Sequence, residues 1–231
     1  MSVSADLVAE NVARVRVAIA RAAERAGRDP AEVTLVGVTK TVPPELAARA
    51  VAAGVTDLGE NHVRELAAKR AAVPGARWHF IGILQTHTAH KVAELADVVE
   101  SVASERAAVR LARRAAARGR RVPVLIEVDL TGTRAGVPPE GLAAFADRVA
   151  ALEGVELVGL MTIPPIPEAA EDSRPYFRRL RELRDELRAR HPGAVELSMG
   201  MSLDYEVAVE EGATMVRVGT ALFGPRPGGR A

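Results

Sequence analysis

The stretch Val33-Thr34-Leu35-Val36-Gly37-Val38-Thr39-Lys40 is apolar and β-branched, and reads as a buried strand with a charge at its tip. Downstream the same unit recurs: a short apolar run, a turn, then a helical stretch. Strands are expected over 33–39, 56–59, 78–82, 98–102, 122–129, 155–161, 195–198 and 215–218. Helices are expected over 44–53, 61–72, 88–95, 104–118, 139–152, 173–190 and 204–211, with Thr88, Ser104, Ser173 and Asp204 as N-caps. In the 173–190 segment Phe177, Leu180, Leu183 and Leu187 share one side, with arginines and acids opposite. An amphipathic helix of about residues 6–26, ended by Gly27 and Asp29-Pro30, precedes the first strand.

Strands that are apolar on both faces and alternate with helices imply a parallel sheet covered on both sides. Eight of them in this length predict an α/β fold: a single eight-stranded (β/α) TIM-type barrel with an extra N-terminal helix. An open doubly wound sheet is the alternative, but the Gly-rich turn that often follows its first strand is missing. No linker interrupts the pattern. Residues 1–231 are therefore read as one domain, with the N-terminal helix inside 1–30 and a Gly- and Pro-rich tail, 225–231, expected to be frayed. Pro164-Pro165-Ile166-Pro167 reads as a loop over one barrel end.

Composition narrows the function classes. The 31 basic and 30 acidic residues leave a net charge of +1, so no global field draws nucleic acid or acidic membranes. Arginines 106, 110, 113, 114, 118, 120 and 121 are a local exception, read as the solvated face of an Ala-rich helix. Aromatic residues make up 3%, too few for base-stacking surfaces. No nucleic-acid or membrane partner is expected. Cysteine is absent, which excludes disulfides, thiolate catalysis and Cys-ligated zinc. His87 and His90 lie three apart, but no further ligands suggest a metal site. There is no secretory signal pattern, and no apolar run approaches the roughly 20 residues that span a bilayer. A cytoplasmic protein is the default expectation.

Only three of the basic residues are lysine: Lys40, Lys69 and Lys91. A chain that otherwise uses arginine has lysine at the tip of its first strand. A snorkelling side chain is one reading. The other is an amine that loses its proton in a desolvated site and attacks a carbonyl, which arginine cannot do.

In a (β/α) barrel, chemistry collects where strands end and βα loops begin. Those junctions here are Thr39-Lys40, Gly59-Glu60-Asn61-His62, His79 to Gly82, Glu127 to Asp129, Met161-Thr162, Ser198 to Ser202 and Arg217 to Thr220. Ser198-x-Gly200-x-Ser202 and Gly219-Thr220 follow strands seven and eight, where barrels often bind phosphate. Arg217 lies inside an apolar strand and needs a partner. Either it pairs with Glu127, Asp129 or Glu196, or its guanidinium faces the barrel mouth. His62 and His79 are read mainly as packing residues. A lysine amine, a phosphate cup and an arginine near a ring together fit pyridoxal 5′-phosphate. An arginine at the pyridine nitrogen keeps that atom unprotonated and weakens the cofactor as an electron sink.

The chain resembles the pyridoxal phosphate homeostasis protein family, whose barrel is similar to the N-terminal domain of alanine racemase. The matching segments are Leu35 to Lys40, Gly59-Glu60-Asn61-His62-Val63-Arg64-Glu65, Trp78 to Gln85, Gly159 to Pro164, Leu197 to Ser202 and Met215 to Gly224. The resemblance implies that Lys40 carries the cofactor as an internal aldimine and that Asn61 sits beside it. It also implies that Ser202, Gly219 and Thr220, with Ser198 and Met201, cradle the phosphate, and that Arg217 faces the pyridine nitrogen. No separate catalytic residue is expected. The function implied is cofactor homeostasis without robust turnover, with cofactor-recipient enzymes as partners, and the chain is expected to be a monomer. The rival reading is an amino-acid racemase of the alanine racemase type. That reaction needs an acid/base on each face of the substrate carbon. The second base is a tyrosine from a further domain, and this chain offers only Tyr176 and Tyr205. Two departures from the family pattern stand out. Thr86-His87-Thr88-Ala89-His90 replaces x-Asn-Lys-x-Lys, and Thr133-Arg134-Ala135-Gly136 replaces Ser-Lys-x-Gly.

Overall fold

Residues 5–225 are described in the computed structural model of the chain. Eight strands, β1 (Thr34–Val38), β2 (Asp57–Glu60), β3 (Arg77–Phe80), β4 (Val98–Val102), β5 (Val122–Glu127), β6 (Val155–Met161), β7 (Glu196–Ser198) and β8 (Met215–Val218), pair in sequence order. All pairs are parallel, and β8 pairs with β1 to close the barrel. Closure leaves no sheet edge to protect. The helices are α1 (Ala5–Arg25), α2 (Pro44–Ala52), α3 (Val63–Ala72), α4 (Ala89–Leu95), α5 (Glu105–Ala116), α6 (Leu142–Ala150), α7 (Arg174–Arg188), α8 (Tyr205–Glu210) and α9 (Thr220–Phe223). The eight-stranded barrel and the extra N-terminal helix agree with the sequence expectation.

Strand side chains alternate between the barrel interior and the helical layer. Register partners in parallel strands share a face: Val36 pairs with Asp57 and Arg217, and Val38 with Gly59, which pairs with His79. These positions point inwards. The interior has an apolar part, Val98, Leu125 and Met161 with Val158 and Ile163 packed on it, and a polar part described below. Leu58, Trp78 and Phe80 point outwards and lie buried beneath the helices.

The helices cover the barrel with the faces their periodicity requires. Ala107, Ala108, Leu111, Ala112 and Ala115 of α5 are buried, and its arginines point outwards. Helix α1 buries Val8, Val12, Val15, Ile19, Ala22 and Ala23 against α2, α8 and α9. Each buried Val or Ile contributes about 1.5–3 kcal/mol of hydrophobic burial. The Asn11 side-chain amide donates to the Leu222 carbonyl at 2.8 Å, tying α1 to α9 at the eighth strand's exit.

Two expectations need correction, and a third is untested. The fifth strand ends at Glu127, two residues early, because the following loop turns back and the Asp129 amide donates to the Val137 carbonyl. Thr88, Ser104, Ser173 and Asp204 make no side-chain capping bond to their helices. Ser173 instead donates to Asp204, whose other oxygen accepts the Met201 amide. The tail expected to fray lies outside the described residues except for Pro225. Among the described residues no helix is long and apolar enough to cross a membrane.

Candidate functional site

The parallel barrel brings the expected site residues to its C-terminal end. Lys40 follows β1, Asn61 follows β2, Met201 and Ser202 follow β7, and Gly219 and Thr220 follow β8, while Ser198 and Arg217 lie inside the last two strands. Strands β7, β8, β1 and β2 are consecutive neighbours, so these residues occupy one side of the mouth.

The β1–β2 side is built around charge. Lys40 is half-buried in a turn, and Thr41 beside it has φ +64°. Behind this turn the Lys69 ammonium is 4% exposed. It donates to the Thr39 carbonyl (2.5 Å), Glu60 Oε1 (2.5 Å) and Glu65 Oε2 (2.9 Å). Glu60 Oε1 also accepts from the Thr39 hydroxyl (2.6 Å), and Glu65 Oε2 accepts the Thr41 amide (2.9 Å). Partial burial pushes the Glu65 carboxyl upwards, but the Thr41 amide and Lys69 outweigh it and hold it below its ordinary value. Glu60 Oε2 and Asn61 Oδ1 are buried and have no hydrogen-bond partner among the described residues. An added Cβ on Gly82 would come 2.0 Å from the Asn61 carbonyl oxygen, so the loop after β3 lies directly against the Asn61 backbone.

The β7–β8 side is built from backbone. The amides of Gly219 and Ala221 both donate to the Ser202 hydroxyl oxygen, at 3.3 and 3.2 Å. Amides that converge on one oxygen at the start of α9 form a setting suited to an anion's oxygens. The turn before Ser202 requires glycine. Gly200 has φ +88°, and a Cβ there would approach that of Ala208 to 2.5 Å. Its carbonyl accepts the Arg217 amide at 2.9 Å, which docks the turn on β8.

A polar chain crosses the interior beneath both sides. Arg217, 4% exposed, donates to the Ser198 hydroxyl (2.5 Å) and the Thr162 carbonyl (2.9 Å). Ser198 donates to Glu100 Oε2 (2.5 Å), and Glu100 Oε1 lies 2.6 Å from His79 Nδ1. His79 Nε2 lies 3.0 Å from Asp57 Oδ1. Burial alone would push the His79 imidazole down, but hydrogen bonds and charge from Asp57 and Glu100 raise its pKa to about 9. Facing a carboxylate at each nitrogen, the imidazolium donates both N–H bonds. Arg217, Glu100, His79 and Asp57 thus alternate in sign. Burial pushes the Arg217 guanidinium down, against the pull of Glu100 and Glu127.

The suggested partners of Arg217 therefore need revision. Asp129 is occupied by its own loop, accepting the amides of Thr131, Gly132 and Arg134 and the Thr131 hydroxyl. Glu196 accepts from the Thr214 hydroxyl. Glu127 acts on Arg217 through charge, and Glu100 is the carboxylate within 3.9 Å of the guanidinium. The Ser198 hydroxyl is held between Arg217 and Glu100 in the interior, and the Met201 amide is donated to Asp204.

Comparison with known proteins identifies the family. The family described as the alanine racemase N-terminal domain matches residues 9–227. A pyridoxal phosphate homeostasis protein of Aquifex aeolicus is 45% identical over 94% of this chain and 97% of its own. Its namesake in Pseudomonas aeruginosa is 42% identical over 95% of this chain and 96% of its own. The chain belongs to the pyridoxal phosphate homeostasis protein family. Within that fold, PipY of Synechococcus elongatus PCC7942, in a structure with PLP bound, is 37% identical with a TM-score of 0.83. That match covers 94% of this chain and all of PipY. An alanine racemase of Clostridium difficile 630 shares the fold at 19% identity and a TM-score of 0.74, covering 94% of this chain and 57% of the racemase.

Against the pattern of this homeostasis family, Arg134 stands where a lysine is common, with its Nε 4.0 Å from Glu127 Oε1. Burial raises the pKa of Glu127, and the charges of Arg134 and Arg217 oppose that rise. Sequence reasoning did not single out Glu100, gave Lys69 no role, and for His79 leaned to packing over lining the site. Glu100 carries the signal that exposed Arg217, a charge inside an apolar strand. Lys69 was visible as one of three lysines and as the i+4 partner of Glu65.

Proposed function

We propose that this chain binds pyridoxal 5′-phosphate at the C-terminal mouth of the barrel and serves cofactor homeostasis without robust turnover. One observation carries the reading. The Gly219 and Ala221 amides and the Ser202 hydroxyl converge on the strand beside the one that presents Lys40. Phosphate and amine sites are thus neighbours across the β8–β1 pair. The Asn61 oxygen, just after the next strand and partnerless among the described residues, supplies a polar contact for the group between them.

In this assignment Lys40 supplies the amine that holds the aldehyde carbon, and Asn61 lies beside it. Ser202, Gly219 and Thr220 hold the phosphate. Arg217 stands at the pyridine nitrogen. When bound, pyridoxal phosphate supplies an electron sink for an amino acid's α-carbon. Arg217 restrains that sink. Its guanidinium donates hydrogen bonds but gives up no proton, and Ser198 and the Thr162 carbonyl fix it in place. Ser198 and Met201 are assigned to the same cradle. We further propose recipient enzymes as partners, a monomer as the working state and the cytoplasm as its place.

The test is reduction of the loaded protein with borohydride, followed by peptide mass spectrometry. One pyridoxyl group per chain is expected, on Lys40. Stoichiometric label on Lys69 or Lys91, or no label, overturns the assignment. In parallel, L-alanine racemisation should be negligible. Turnover of roughly 1 per second or more would favour the racemase reading.

A further inference from the structure

We infer that Lys69 and Glu65 of α3 are positioning residues that set the conformation of the turn carrying Lys40. This rests on the reading of Lys40 as the cofactor lysine. Lys69 is itself unsuited to attack an aldehyde. Its three N–H donors have three acceptors within 2.9 Å, and it lies on the helical side of β1 and β2. Nor is burying such a cluster an efficient route to stability, because an apolar filling often serves as well. The partnerless Glu60 Oε2 underlines the point.

An apolar filling could not grip the backbone on both sides of Lys40. Lys69 holds the Thr39 carbonyl before it, and Glu65 holds the Thr41 amide after it. Glu60 adds the Thr39 hydroxyl. The grip is needed because Thr41 is β-branched and sits at φ +64°, a conformation such residues rarely adopt unless their surroundings impose it. Glu65 and Lys69 are one helical turn apart on the same face of α3. That helix begins two residues after Asn61, so one rigid element sets both the Lys40 turn and the Asn61 approach.

The test uses the full chain with Glu65→Ala, Glu65→Gln and Glu65→Ala/Thr41→Gly. Glu65 is partly exposed, so these variants should fold. Two readouts are needed. The first is hydrogen exchange of the Thr41 amide without cofactor. It should be about 10-fold faster or more in Glu65→Ala, as expected for a local opening that loses its closing bond. It should stay near wild type in Glu65→Gln, whose side-chain carbonyl still accepts. The second is covalent capture of pyridoxal phosphate on Lys40, measured by borohydride labelling. It should weaken about 10–100-fold in Glu65→Ala, the scale of a small misplacement of a reacting group. Thr41→Gly in that background should recover part of the loss, because glycine takes this φ without strain. Lys69→Met should reproduce the capture defect. Unchanged Thr41 exchange in Glu65→Ala overturns the grip. Faster exchange with unchanged capture overturns the positioning role. If wild type captures nothing on Lys40, the functional reading fails, and the exchange measurement still judges the grip.

Discussion

The two sides of the barrel mouth hold their groups by different means. On the β1–β2 side, Lys69, Glu60 and Glu65 grip a strained turn from the helical layer with charges. On the β7–β8 side, glycine turns and amides form the cradle, and Arg217 beneath it is fixed by a chain of alternating charges inside the barrel. Under the proposed function, the difference follows from what each side presents. A single amine has to be aimed, so its turn is clamped. An anion is met by several N–H groups, which the backbone supplies without side-chain entropy. The interior chain ties the β7–β8 side to β4, β3 and β2, so damage there should spread through the fold. Damage to the Lys69 cluster should stay local.

The largest effect expected from this contrast is that of Glu100→Ala. Glu100 is fully buried between His79 and Ser198, with Arg217 3.9 Å away. Removing it takes the nearest carboxylate from buried Arg217 and leaves His79 with Asp57 alone, at a cost of about 3–5 kcal/mol. Urea unfolding should show this as a large fall in midpoint. Glu65→Gln, at the partly exposed end of the other cluster, should change stability by about 1 kcal/mol or less. Equal losses would erase the distinction between a fold-wide and a local network.

The second effect is a pH dependence that belongs to the interior chain. The folded pKa of His79, about 9, lies above its ordinary value of 6.5. Its contribution is therefore fully present below about pH 6.5 and lost as pH rises through about 9. Between these limits the folded state holds a proton that the unfolded state has released, so stability falls with pH, by roughly 3 kcal/mol. His79→Gln should flatten that slope while lowering stability at neutral pH. A wild-type stability that stays level from pH 6.5 to 9 would show that His79 is neutral in the fold.

The barrel was readable because its signals are local. Each strand is a short apolar run closed by turn residues, and Lys40, Asn61, Ser202, Gly219 and Thr220 lie at strand ends where the alternation of strands and helices places them. The interior chain was less readable because it depends on register. Arg217 stood out as a charge in an apolar strand, but its partners come through Ser198 to Glu100, 98 residues apart in sequence. The same reasoning applied to Val98-Val99-Glu100-Ser101-Val102 would have found the acid. Lys69 was harder to place. Its i+4 spacing from Glu65 looks like an ordinary surface pair, and only the packing of α3 on β2 and β3 brings it to the Thr39 carbonyl. The expected caps failed for a related reason. Ser173 and Asp204 bond each other across 31 residues rather than their own helices.

On the cradle side a moderate effect is expected from Ser202→Ala. The change removes the oxygen that accepts from Gly219 and Ala221 and leaves both amides in place. Hydrogen bonds to charged groups contribute about 1.5–3 kcal/mol, so losing the hydroxyl should weaken phosphate-dependent binding about 10-fold or more. The Lys40 turn lies on another strand, so Thr41 amide exchange should not change. Calorimetry with pyridoxal phosphate and with pyridoxal would separate the phosphate contribution. An equal loss for both ligands would place Ser202 at the ring and not at the phosphate.

The smallest effect concerns the two positive-φ turns themselves. Gly200 tolerates no side chain, because a Cβ would press into Ala208. Thr41 carries one at φ +64° and is held by Glu65. In Thr41→Gly two terms oppose each other. Relief of a non-glycine residue in this region is worth about 1 kcal/mol at the low end of such strain. The added freedom of glycine in the unfolded chain costs about 0.4–1 kcal/mol. The net change in stability should therefore lie within about 0.5 kcal/mol of zero. Because Glu65 still accepts the Thr41 amide, capture of pyridoxal phosphate on Lys40 should fall at most about threefold, well under the loss expected for a misplaced reacting group. Thermal unfolding and borohydride labelling measure the two quantities on the same sample. A large gain in stability with a large loss of capture would mean that the threonine's strain itself aims Lys40. Small changes in both would assign the aiming to the grip of Lys69 and Glu65.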